Sequence, residues 1–239
     1  PVGAQTSRAA AQRDAIAALW GGGVRGRAQF YGCEAGPLFL TAGDTNALVR
    51  GCEHPFGPPN CGIQGVWELS ELARSKQPFR IWLGHHPYRS NGEHGDAGWF
   101  LDAGLMLWEG SGLAHLLERF IVGHADLMLS GHDHNLQAFV GLGGGRTAAV
   151  VSGAGSKTTP LAPPSRRNPS AFEQDGALGF ALVEAGPTEL AVSLFARDAD
   201  LGAPCDRTCT EPRFEMVKRV DEAWRVVTPG AAELSAACR

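Results

Sequence analysis

The 239-residue chain has no run approaching 18 apolar residues, so no membrane-spanning helix is expected. It has no excess of basic charge: the formal net charge is −4, which argues against a nucleic-acid partner. No CxxC pair occurs, which removes a zinc ribbon. There is no HExxH helix and no Gly-x-Ser-x-Gly elbow. Gly153-Ala-Gly-Ser-Lys157-Thr158 looks like a phosphate loop, but Ser156 stands where the glycine before the lysine is required. Internal repeats and a domain linker are also absent. The start, Pro1-Val-Gly-Ala-Gln5, is not a basic stretch leading into an apolar one, and it lacks Met; it reads as a chain from which a leader has been removed.

What is present is globular. Hydrophobic residues make up 44% and charged residues 19%, enough for one sizeable core over residues 1–239. Six cysteines are an even number. Cys52 and Cys61 flank a loop rich in Pro and Gly, and Cys205 and Cys209 bracket three residues. The spacing closes local loops and predicts disulfides, hence an extracellular or periplasmic protein.

Local patterns place the elements. Ala9 to Trp20 reads as a helix stopped by Gly21-Gly-Gly23. Residues 28–31 and 37–42 read as paired strands, and 47–63 as a long loop. A helix is expected from Ile63 to Ser75, with Val66, Trp67, Leu69 and Leu72 as its apolar face. A second is expected from Leu113 to Val122. Two hairpins follow, 138–140 with 147–151 and 178–183 with 189–195. Pro160 to Ser170 reads as a mobile excursion, and 197–239 as an irregular C-terminal extension. Helices alternating with strands and ending in antiparallel strands predict an α/β (α+β) mixed sheet covered by helices.

The stretch from Ile81 to His134 organises the rest. It contains two turns, Leu83-Gly-His85-His86-Pro87 and Ser130-Gly-His132-Asp133-His134-Asn135, each after a short apolar strand. Five of the eight histidines, counting His94, lie in or just after them. Ligands collect at the carboxyl ends of strands in such sheets. Neutral imidazole is the commonest protein ligand for borderline metals, so the two Gly-His turns point to metal binding. His132 and His134, two residues apart, serve one metal or two. Asp133 shapes the turn. His54, His115 and His124 read as ordinary polar residues. Trp99, Phe100 and Trp108 line a substrate mouth or pack the following segment.

These residues resemble the last two metal motifs of the calcineurin-like metallophosphoesterases. Gly-His85-His-Pro followed by Ser-Asn-Gly-Glu-His94-Gly, then Gly-His132-Asp-His134-Asn-Leu-Gln137 and Val-Ser152-Gly-Ala-Gly155, resemble the purple (tartrate-resistant) acid phosphatase branch. The resemblance covers about residues 5–160. It implies a metallophosphoesterase-like β-sheet sandwich flanked by helices, and hydrolysis of phosphoric monoesters by a dinuclear centre of iron with zinc, manganese or a second iron. It implies that His85 and His132 bind one metal and His134 the other, and that His94 contacts substrate as proton donor to the leaving alkoxide. No Asp-x-Gly-Asp or Gly-Asn-His, the family's earlier metal motifs, occurs in the chain. The chain therefore resembles the C-terminal two-thirds of such an enzyme, without its N-terminal strands. Two functions follow: a phosphatase completed by an upstream segment or separate chain, or a non-catalytic metal-binding or interaction domain.

Overall fold

The computed structural model describes residues 25–26, 30–51, 60–98, 111–198 and 211–227. The expected helix over 9–20, Cys52, Cys205, Cys209, Trp99, Phe100 and Trp108 lie outside them. Cys61 falls in a helix, but its side chain is also outside the description. Cys33 is described, as a buried free thiol.

Two sheets form the frame. The larger contains β1 (Arg25–Gly26), β2 (Tyr31–Ala35), β3 (Leu38–Ala42), β4 (Phe79–Leu83), β5 (Leu127–Ser130), β6 (Leu136–Leu142), β7 (Thr147–Ser152) and β8 (Phe172–Gln174). Their order is β1-β2-β3-β4-β5-β7-β6-β8. β3, β4, β5 and β7 run parallel, and the outer pairs are antiparallel. The smaller sheet is antiparallel, ordered β12 (Arg225–Val227), β11 (Phe214–Arg219), β10 (Glu189–Asp198), β9 (Ala177–Ala185).

The parallel strands read as continuous apolar runs because both faces are covered. Along β4, Ile81 packs with Val192, Leu194 and Met216 of the smaller sheet. Its neighbour Trp82 points to the other face and packs with Leu48, Leu72 and Leu113 of the helices. Period-two alternation thus feeds two cores, giving a layer of helices, a mixed sheet and a second sheet.

The sequence reading needs correction at several points. Residues 47–63 are not one loop: α1 (Thr45–Gly51) buries Leu48 and Val49, and α2 (Asn60–Arg74) starts earlier than expected. The described part of the tail, residues 211–227, is not irregular either. β11 and β12 complete the smaller sheet, with Phe214, Met216 and Lys218 buried at every second position. That alternation was hard to see because its third inward residue is Lys218, whose Nζ reaches Asp126 Oδ1 at 3.5 Å. Finally, α2 does not bury the face its apolar residues suggested. Val66 is 60% exposed, while Gln64, Glu68 and Glu71 are buried with Leu72. The polar stripe has partners: Gln64 donates to Glu68 Oε1 at 3.2 Å, and Trp82 Nε1 donates to Glu68 Oε2 at 3.3 Å.

The expected helix over 113–122 is present as α3 (Ser111–Leu116) running into a π-helical turn, Leu117–Ile121. The excursion at 160–170 is tied down rather than loose. Asn91, fully buried, donates to the Asn168 carbonyl at 3.0 Å and accepts its N–H at 2.6 Å.

Candidate metal centre

β4 and β5 pair in parallel with Leu83 opposite Leu129, so the turns after them leave the sheet at the same end. Two backbone bonds lock the turns together, Gly84 N–H to Leu129 O and Gly131 N–H to His85 O, each 3.1 Å. His132 takes φ +69°, a left-handed conformation uncommon outside glycine and costly enough to be typical of functional sites. It brings His132 Nδ1 to 3.2 Å from His85 Nε2.

His86 joins them. Its ring centroid lies 4.8 Å from that of His85 and 4.6 Å from that of His132. One ligand atom from each of His85, His86 and His132 can be chosen so that all lie within 4.8 Å of one another. Thr45 Oγ1, at the start of α1, sits 2.8 Å from His86 Nδ1 and accepts the His86 backbone N–H at 3.2 Å. The sequence put His86 in the turn and gave it no role. Asp44-Thr45-Asn46 at a strand end is a helix-start pattern, and would have pointed to α1 and its cap.

His134 is held beside this group by a reciprocal pair with Thr159. Its N–H donates to Thr159 Oγ1 at 3.1 Å, and its carbonyl accepts the Thr159 N–H at 2.9 Å. His134 Nδ1 is buried with no hydrogen-bond partner. A buried nitrogen left so costs about 1–3 kcal/mol unless something else meets it. Burial first, then the nearby His134 and His94, hold the His85 pKa below the usual imidazole value. Burial, then Lys157 and His94, do the same for His134. Both effects favour the neutral imidazole with a free lone pair, the form a metal takes. This donor set, with the orphaned His134 Nδ1 among it, fits a borderline cation.

Behind the rings lies a polar frame. Asp133 is fully buried; one oxygen accepts the Ser90 hydroxyl, and the other accepts the His94 N–H at 3.1 Å. This ties the loop after the first turn to the second, and places the His94 ring 4.4 Å from that of His132. Gln137 accepts the Asn91 N–H at 2.6 Å and donates to Ser90 and Asn135. Two glycines permit the approach. A Cβ on Gly92 would lie 2.1 Å from Asp133 Cγ, and one on Gly153 would lie 2.0 Å from the Asp133 carbonyl oxygen.

Of the residues singled out in the sequence, the structure gathers His85, His132 and His94, with His134 adjoining. Beside them runs a trough of about 490 Å³ along the strand ends, lined by Gly43, Gly84, Ser130, Gly131 and Ser152 among others. No charged residue lines it among the described residues.

No family model matches the chain. Tartrate-resistant acid phosphatase type 5 of Rattus norvegicus is 29% identical over 163 residues, which is 64% of this chain and 45% of the rat protein. The Sus scrofa protein of the same name is 28% identical over 150 residues, 59% of this chain and 40% of its own length. The chain thus spans less than half the length of the curated relatives it matches. Among solved structures, PhoD matches with a TM-score of 0.53 at 12% identity, over 80% of this chain and 42% of PhoD. GAP50, the anchor in the inner membrane complex of Plasmodium, matches with a TM-score of 0.51 at 15% identity, over 84% of this chain and 54% of its own. The chain is therefore similar in sequence to the tartrate-resistant, or purple, acid phosphatases and has a metallophosphoesterase-like fold.

Proposed function

We propose that this chain forms the histidine-bearing part of a metal-dependent phosphoric monoester hydrolase of the acid phosphatase kind. The observation that carries the reading is the 3.2 Å approach of His85 Nε2 to His132 Nδ1 at the carboxyl ends of adjacent parallel strands. In this reading His85 and His132 hold one metal ion and His134 another. The metals are iron with zinc, manganese or a second iron. Bound there, they supply positive charge that stabilises the entering and leaving oxygens at phosphorus. His94 contacts the phosphate ester and gives a proton to the leaving alkoxide. Asp133 holds the His94 backbone where that transfer is in reach.

Neutral imidazoles cannot balance two multivalent cations. The trough beside them contributes no carboxylate among the described residues. The reading therefore includes an acidic segment, upstream or on a separate chain, that completes the centre. An extracellular or periplasmic location goes with it, resting on the spacing of Cys52 with Cys61 and Cys205 with Cys209. A second reading, a non-catalytic metal-binding or interaction domain, draws on the cluster of three imidazoles found among the described residues.

The test measures metal content and hydrolysis of a generic aryl phosphate, on the chain alone and with an upstream segment supplied. The expected result is negligible turnover alone, with two metals and turnover in the extended form. Full turnover with two tightly held metals in the chain alone would refute the need for the segment. Two metals without turnover in the extended form would favour the second reading.

A further inference from the structure

The loop that carries His94 is fastened from outside the histidine turns. Asn91, which precedes His94 in this loop, is fully buried. Its Nδ2 donates to the Asn168 carbonyl at 3.0 Å and to Glu173 Oε2 at 2.7 Å. Its Oδ1 accepts the Asn168 backbone N–H at 2.6 Å and Asn168 Nδ2–H at 3.3 Å. Both donors and both lone pairs of the amide are thus taken. The backbone joins in. Asn91 N–H donates to Gln137 Oε1 at 2.6 Å, its carbonyl accepts the Ala162 N–H at 2.7 Å, and Gly92 bridges to Leu161. Beyond His94 the same segment holds again. Asn168 Nδ2 donates to Asp96 Oδ1 at 2.9 Å, and that oxygen also accepts the Ser90 N–H at 2.7 Å.

The far anchor is part of the large sheet. Glu173 lies on β8, opposite Gln137 of β6. Burial pushes its carboxyl up, but bonds from Asn91, Arg167 and Ser170 outweigh burial and hold it below the usual value. Glu173 therefore stays an ionised acceptor, and hydrogen bonds to a charged acceptor are the stronger kind.

We propose that Asn91 is a positioning residue for His94, and that residues 161–173 form the strap that holds it. Asn91 acts through the loop and not by contact with metal or substrate. The inference rests on the proton-donor role given to His94 in the proposed function. Asp133 fixes one point of the loop, the His94 N–H, and a single point leaves the loop free to pivot. Gly92 and Gly95, the latter at φ +83°, give it the freedom to do so. Asn91 and Asp96 add points on either side. A proton donor has to stand within about 2.6–3.2 Å of the oxygen it serves. A misplacement of about 1 Å can cost about 10²-fold in rate. His85 and His132 need no strap, because the bonds of Gly84 and Gly131 lock their turns directly.

The test compares turnover of an alkyl and an aryl phosphate, with metal content, in the extended form of the protein. Asn91→Ala should lose about 10²-fold on the alkyl ester, stay within about threefold of the parent on the aryl ester, and keep its metal. Placed in a His94→Ala background it should cost nothing further, because the residue it positions is gone. Glu173→Ala should lose about tenfold on the alkyl ester, and Glu173→Gln, which keeps an acceptor, should recover most of it. A second readout needs no turnover. In the 239-residue chain, Asn91→Ala should speed amide hydrogen exchange at His94 and leave it unchanged at Gly131. Unfolding midpoints separate these effects from loss of fold; should Asn91→Ala fail to fold, the two Glu173 variants answer in its place. Equal losses on both esters, losses additive with His94→Ala, or unchanged exchange at His94 would overturn this inference alone. So would parent-like rates in Asn91→Ala and Glu173→Ala while His94→Ala is impaired. Parent-like rates in His94→Ala would overturn its proton-donor role and this inference with it.

Discussion

Asp133 Oδ1 accepts the backbone N–H of His94 at 3.1 Å, although the two residues are 39 positions apart. The other oxygen takes the Ser90 hydroxyl. One buried carboxylate thus joins the loop after the first histidine turn to the second turn. Removing it strands two donors in a dry interior. Asp133→Ala should cost about 2–4 kcal/mol by urea unfolding, and Asp133→Asn, which keeps an acceptor, markedly less. Equal, small losses in both would show that the bonds are dispensable.

A second prediction concerns pH and lies away from the histidines. Glu68 is completely buried against Trp82 and Gln64, and burial raises its pKa from 4.5 to about 8. Folded, it keeps its proton to about pH 8; unfolded, it loses it near the ordinary carboxyl value. Between those limits the folded state binds the extra proton. Its stabilising contribution is therefore fully present below about pH 4.5 and is lost as pH rises to about 8. The local slope approaches about 1.4 kcal/mol per pH unit. Glu68→Gln should remove that slope, gaining on the parent at the alkaline end. Urea unfolding across this range measures it, and parallel curves for the two proteins would refute it.

Much of this was legible in the sequence, for identifiable reasons. The strands before the histidine turns are short apolar runs between turn residues, and both lie where expected. The hairpins over 136–152 and 177–198 follow from alternation around glycines. What was illegible depended on partners far along the chain. Gln64, Glu68 and Glu71 look like a solvated face until Trp82 is folded beneath them. Lys218 hides the inward face of β11 until Asp126 is near. The role of Thr45 appears only when 41 residues of chain return His86 to it. Within the site, the sequence singled out His85, His94, His132 and His134 but gave no role to His86, which the structure places with His85 and His132. It did not indicate the frame of Ser90, Asn91, Asp133 and Gln137 behind them, because its bonds join residues 43 to 47 positions apart.

The run Gly153-Ala-Gly155 gives a third prediction with its own control. A Cβ on Gly153 would stand 2.0 Å from the Asp133 carbonyl oxygen, a backbone atom with no room to yield. Gly155 has nothing within 4 Å of the corresponding position. Gly153→Ala should lose about 1–3 kcal/mol of stability. It should also weaken Co²⁺ binding, because the displaced carbonyl lies between His132 and His134. Gly155→Ala should be near neutral in both. Similar behaviour of the two variants would mean that the turn accommodates the added methyl group.

The last prediction separates proton transfer from metal binding, and belongs to the extended form of the protein. His94 and His132 have ring centroids 4.4 Å apart, so proximity alone does not assign their roles. Their attachment differs. His132 sits at the strained φ of +69° on the second turn, within 3.2 Å of another imidazole nitrogen. His94 hangs from the loop after the first turn, its backbone fixed by Asp133 and its ring 4.0 Å from the Glu93 carboxylate. A ligand and a proton donor respond differently to deletion. Loss of a ligand takes the ion and the reaction with it. Loss of a proton donor leaves the ion in place and slows the departure of a basic alkoxide. His132→Ala and His134→Ala should therefore lose metal and turnover together. His94→Ala should keep its metal and lose about 10²–10⁴-fold in turnover. The loss should be largest for alkyl phosphates and small for an aryl phosphate whose leaving phenolate needs no proton. Rates for both ester types beside elemental analysis make the distinction. Equal losses on the two esters would remove His94 from the proton-transfer role, and loss of metal in His94→Ala would make it a ligand instead.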